Sequence, residues 1–142
     1  MLGLLPELFG QICVPEAVVA ELEQGRRRDV SLPTPEVLSW VQVRAVRDQT
    51  LLVTHLGAGE EEVLALGLEL PDALLLLDDR DARRHALAQG LQISGTLGVL
   101  LLAKERGLLT AVGPVLDRLQ ALRFRLHETT RQIVLDLAGE DP

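Results

Sequence analysis

The residues of this 142-residue chain best placed to do chemistry are carboxylates, concentrated in one stretch from Gly57 to Gly98. Glu60, Glu61 and Glu62 fall in the first turn of a helix whose apolar side is Val63, Leu64, Leu66, Leu68 and Leu70, so their charge meets the positive end of the helix dipole. Asp78 and Asp79 follow the apolar run Ala73 to Leu77 and precede a helix from Arg80 to Gln89 closed by Gly90. Such a run reads as a strand buried on both faces of a parallel sheet. The Asp pair then lies at a strand's carboxyl end, the edge where open α/β sheets bind ligands. Acids drawn from a helix start and a strand end form a donor set for a hard divalent cation. An Asp at this position has a second ordinary use, capping the helix that follows it, and both uses are open here.

Other chemistries fit less well. Cys13, the one cysteine, excludes an internal disulfide and a thiolate metal cluster; inside the apolar Gln11 to Val14 run it reads as a small core residue. His55, His85 and His127 are scattered, no Ser, Cys and His share a nucleophile motif, and His85, beside Arg83 and Arg84, reads as a surface residue. Gly57-Ala58-Gly59 matches a dinucleotide loop only loosely, because no convincing strand leads into it and Glu62 stands where the third glycine belongs. A net charge of −7, one Trp, two Phe and no Tyr argue against a general nucleic-acid-binding module. They leave room for an acidic metal site, where a bound cation reverses the local sign and Arg residues on the rim hold a phosphate backbone.

The elements that must position these acids alternate along the chain. A short helix, Leu4 to Phe9, precedes a short strand, Gln11 to Val14, and a helix opened by Pro15 and carried through Leu22 to Gly25. Gly25 to Pro35, with charges and prolines, is a loop in which Arg26 to Arg28 read as a solvated helix end. Val37 to Val46 alternates as a strand with Trp40 packing, and Asp48 to His55 reads as a short helix. After the acid-rich unit come a strand, Leu91 to Ser94, and three helices: Val99 to Arg106, one opened by Pro114, and Glu128 to Ala138. Strands separated by helices predict an α/β fold, a three-layer α/β/α sandwich with a mostly parallel central sheet. At 47% hydrophobic residues and a mean hydropathy of +0.21 the length suits a single domain, 1–142. The longest apolar runs fall far short of a membrane span, and the start lacks the basic residues of a signal peptide, so the reading is a soluble, cytoplasmic protein.

Taken in order, Ala20-Glu21-Leu22 after a Val-Pro-Glu-Ala-Val helix start, Gly59-Glu60-Glu61-Glu62-Val63-Leu64, Leu75 to Arg83 with its Leu-Leu-Asp-Asp and Ala-Arg pieces, and Gly95-Thr96-Leu97-Gly98 resemble a PIN-like domain over most of the chain. The resemblance implies a Mg²⁺- or Mn²⁺-dependent ribonuclease, of the kind often found as the toxin of a toxin-antitoxin pair. By position, Glu21, Glu62 and Asp79 match the catalytic acids, with Glu60 and Asp78 as neighbouring metal ligands and Thr96 and Arg80 as contacts to the substrate. The family's pattern begins with an apolar strand ending in Asp, and this sequence opens at Met1-Leu2-Gly3, beyond that strand; neither Glu7 nor Glu16 takes the place of its Asp by spacing. A site of three acidic positions should bind metal weakly, and a sheet with open edges favours a homodimer. Two functions follow: the ribonuclease, partnered by RNA and an antitoxin, or a catalytically inactive domain that binds another protein.

Overall fold

The computed structural model describes residues 2–28, 32–49 and 55–140. They form two compact units, Met1–Ser94 and Gly95–Pro142. The first carries α1 (Leu4–Phe9), β1 (Ile12–Pro15), α2 (Glu16–Arg27), a 3-10 turn (Pro35–Val37), β2 (Val41–Arg44), α3 (Ala58–Glu69), β3 (Leu74–Leu76), α4 (Arg80–Ala88) and β4 (Gln92–Ser94). The second is helical: α5 (Thr96–Glu105), α6 (Gly113–Ala121) and α7 (Glu128–Leu137).

The α/β character and the parallel pairing follow the sequence pattern. β1 pairs with β2 in the register Ile12 to Val41 through Pro15 to Arg44. β3 pairs with β4 from Leu74 opposite Gln92 to Leu76 opposite Ser94, and the Leu77 N–H extends the ladder to the Ser94 carbonyl at 2.8 Å. Among the described residues the strands pair two by two, so each strand keeps one unpaired edge.

Several boundaries move for local reasons. Pro15 is extended, with ψ 155°, so it closes β1 and the helix begins one residue later, at Glu16. That helix runs past Gly25 to Arg27, where Arg27 pairs with Glu23 at 3.0 Å and Arg26 donates to the Pro33 carbonyl at 2.6 Å; the arginines are a helix end, as their solvated setting suggested. The strand expected over Val37 to Val46 shrinks to four residues because Pro35 starts a 3-10 turn, favoured by its fixed φ. Trp40 is half-buried, and its carbonyl accepts the Ile12 N–H at 2.9 Å. Most of the helix expected over Asp48 to His55 lies outside the described residues. The helix expected from Val99 begins at Thr96 instead, since Gly95 is extended and ends the preceding strand. Cys13 corrects its reading as core: on β1 its side chain is exposed, with the thiol 3.8 Å from the Gln42 amide oxygen.

Among the described residues, two apolar clusters pack the first unit. Leu64, Leu75, Leu77, Ala82 and Ala86 pack together, lined by Leu56, Val63, Ala73, Leu91 and Ile93. This fixes α3 and α4 on the β3–β4 pair. Val46, Ala65 and Leu66 pack on another side of α3, beside Leu70. α3 is thus buried on more than one side, which explains why its sequence is apolar almost throughout behind the opening glutamates. Each fully buried Leu stabilises the fold by roughly 1.5–3 kcal/mol, so this helix, and the acids at its start, are held firmly. Gly67 is required by that packing: a Cβ there would stand 2.8 Å from a Leu75 methyl carbon.

In the second unit, Leu100, Val112 and Leu116 are completely buried. Glu140 ties this unit together: its carboxylate accepts from Lys104 Nζ at 2.7 Å, from the Val112 N–H at 2.8 Å and from the Gly113 N–H at 3.0 Å. The Lys104 hydrogen bond, helped by the two backbone N–H groups at the start of α6, lowers its pKa from 4.5 to about 2.

Candidate functional site

Every helix start exposes backbone N–H groups that the helix cannot satisfy. α2 opens after Pro15 and α3 after Gly57, and neither residue has a side chain able to cap. The two helices supply each other. Glu62, in the first turn of α3, accepts the Ala17 N–H of α2 at 3.0 Å. Glu21, one turn into α2, accepts the Gly59 N–H of α3 at 2.9 Å. Ala17 and Glu21 are one turn apart on one helix, as Gly59 and Glu62 are nearly so on the other. The two carboxylates therefore each bridge the starts of the same two helices. Both face helix N-termini, whose dipoles offset the repulsion of like charges.

Gly59 makes the approach possible. A Cβ at that position would stand 2.9 Å from Glu21 Oε2 and 3.0 Å from Oε1, so any larger residue would push the carboxylate off the N–H it accepts. Glu60 folds back over Gly57 on the same helix start.

The strand-end acids divide their roles. Asp79 is the N-cap of α4, with Oδ2 accepting the Ala82 N–H at 2.9 Å, so the capping use that the sequence left open is realised. Asp78 is exposed beside it, at the end of the strand. Arg83, quoted in the sequence only as part of a motif, donates from Nη1 to the Leu77 carbonyl at 2.8 Å; it pins the first turn of α4 to the strand end that presents the Asp pair. Arg80 is the exposed first residue of α4, and Thr96 is the half-buried first residue of α5 in the second unit.

Glu21, Glu62 and Asp79 share one arrangement: one carboxylate oxygen is committed to a helix start, and the other accepts no hydrogen bond among the described residues. In donor type they suit a hard divalent cation. In placement they stop short of a complete site, for among the described residues no group of three or more His, Cys, Asp or Glu converges closely enough to hold a metal. What the fold brings together is the Glu21–Glu62 pair, from two helices, within the unit that also carries Asp78 and Asp79.

Residues read as scattered also meet. His55 and His85 approach with Nε2 atoms 2.8 Å apart. No short-range pattern signals this, because the contact joins the residues before α3 to the middle of α4.

Compared with known families, the chain matches the family model described as a PIN domain over residues 1–140. No curated protein and no solved structure matches the chain.

Proposed function

The chain belongs to the PIN-domain family, and from that membership we propose that it is a nuclease that hydrolyses RNA phosphodiesters at the acids between α2 and α3. The observation that carries the reading is the crossed capping of Glu21 and Glu62, which holds two carboxylates from distant parts of the sequence at the same pair of helix starts, each with an oxygen left over. Glu21 and Glu62 would hold Mg²⁺ or Mn²⁺ through those oxygens, with Asp79, Asp78 and Glu60 as further acids. Bound metal supplies an activated water and offsets charge on the phosphate. Arg80, exposed at the start of α4, would draw the RNA backbone toward the Asp pair. A two-carboxylate core means weak metal binding, since affinity rises with the number of charged ligands.

The test is cleavage of single-stranded RNA in millimolar Mn²⁺ by the parent, Glu62→Gln and Asp79→Asn. Cleavage that depends on Mn²⁺ and falls at least a hundredfold in Glu62→Gln supports the reading. Cleavage equal in all three proteins points to a contaminant and overturns it.

A second reading has its own observation. β1 and β3, one strand from each pair, line one cleft of about 540 Å³ together with Val18, Val63, Leu66 and Leu70. Unpaired parallel edges over apolar walls suit an extended apolar segment added as a strand. On this reading the chain is a protein-binding domain, occupied by a segment of an antitoxin, or by a second copy in a homodimer. It also fits a toxin that cuts RNA until that segment binds, working in the cytoplasm where its RNA lies.

A further inference from the structure

The His55–His85 contact serves neither the acids nor the cleft. His55 is exposed, two residues before the Gly57 that opens α3; His85 is half-buried on α4. Their Nε2 atoms are 2.8 Å apart, with ring centroids 4.7 Å apart and planes tilted by 56°. We propose that His55 and His85 form a two-histidine site for a divalent transition metal of the nickel or copper class, separate from the carboxylates.

The argument is geometric. Imidazole nitrogen is the ligand these ions favour, and each ring turns the same nitrogen toward the other. With metal–nitrogen bonds of about 2.0–2.1 Å, two nitrogens in cis positions of a square-planar or octahedral ion stand about 2.9 Å apart, whereas a tetrahedral ion sets them about 3.3–3.4 Å apart. Without metal the two rings share an N–H···N hydrogen bond at 2.8 Å; that spacing is closer to the cis arrangement than to the tetrahedral one, so replacing the shared proton by Ni²⁺ or Cu²⁺ asks for less movement than Zn²⁺ would. Among the described residues no third His, Cys, Asp or Glu joins them, so water fills the other positions. A metal there joins the entry to α3, whose first turn carries Glu60, directly to the body of α4.

Ni²⁺ is the suitable probe, because the exposed Cys13 thiol reduces Cu²⁺. Calorimetric titration should find a Ni²⁺ site whose affinity is at least tenfold weaker in His55→Ala or His85→Ala and unchanged in His127→Ala. On the parent itself, paramagnetic Ni²⁺ should broaden the ring proton signals of His55 and His85 and spare those of His127. This readout does not depend on any variant folding. A hundredfold excess of Ni²⁺ over Kd should raise the thermal midpoint by roughly 5–10 °C, and the double variant should lose that rise. Binding that survives in the double variant, equal broadening of all three histidines, or no binding at millimolar Ni²⁺ would overturn the proposal.

Discussion

Replacing Glu62 separates what its carboxylate does for the fold from what it does for chemistry. Glu62→Ala removes both the acceptor for the Ala17 N–H and the charge at two helix starts. Loss of a capping acceptor costs about 0.5–2 kcal/mol, and loss of the charge near the dipoles adds about 0.3–1 kcal/mol at a partly exposed position. A destabilisation of about 1–2.5 kcal/mol is expected, seen as a lower midpoint in urea with an unchanged slope. Glu62→Gln keeps an amide oxygen that still accepts from Ala17 and loses only the charge, so it should cost about 0.3–1 kcal/mol. RNA cleavage should order the variants differently: Gln, nearly as stable as the parent, should be as inactive as Ala. Because Glu21 and Glu62 cap each other's helices, the double variant Glu21→Ala, Glu62→Ala should depart from additivity by at least about 0.5 kcal/mol. Parent-like stability of Glu62→Ala would refute the crossed caps. Cleavage by Glu62→Gln that merely tracked its stability would refute the catalytic role.

Glu140 makes stability depend on acid. Its folded pKa, about 2, lies below the unfolded value of 4.5, so its contribution is fully present above pH 5 and is lost as pH falls toward 2. After screening by solvent this amounts to about 2 kcal/mol; Glu140→Gln should unfold more easily at pH 7 and show a flatter stability profile between pH 5 and 2 by circular dichroism. Gly59→Ala should displace the Glu21 carboxylate from the Gly59 N–H, costing about 0.5–2 kcal/mol and lowering Mn²⁺-dependent cleavage; equal stability and cleavage would show that the close approach is dispensable. Gly67→Ala should push on Leu75 and destabilise by about 1–3 kcal/mol in denaturant. If the β1–β3 cleft takes a strand from a second copy, Leu74→Lys, at a half-exposed cleft position, should convert a dimer to a monomer by light scattering.

The sequence carried the elements well where punctuation is local. Gly90, Gly107 and Gly139 close their helices with positive φ, and the apolar run before Asp78 forms β3. Boundaries failed where a proline has two readings: Pro15 serves equally to end a strand or to open a helix, and only the pairing with Arg44 decides. Cys13 departs from its reading because alternate residues of a strand face opposite sides: Ile12 and Val14 are partly buried on β1 while Cys13 between them is exposed, which an apolar run does not reveal. The acids were legible as a set but not in their arrangement. One sign of the crossed caps was present, for a helix that opens on Pro or Gly has no cap of its own and must borrow one. Nothing in the spacing says from where.

That borrowing bears on how the site works. In Glu21, Glu62 and Asp79 the same carboxylate that would meet a metal also holds a helix start, so one oxygen of each fixes geometry while the other faces outward. Pre-organisation follows, because none of these side chains is free to choose a rotamer when a ligand arrives. The same arrangement limits affinity, since an oxygen committed to a backbone N–H is withdrawn from bidentate coordination. A site built this way gains fixed geometry at the expense of tight metal binding. Added charge rather than relaxed geometry should therefore strengthen it: Ala17 and Gly59 must keep their N–H groups engaged, and an extra carboxylate from a strand laid in the β1–β3 cleft would raise Mn²⁺ affinity without disturbing either cap.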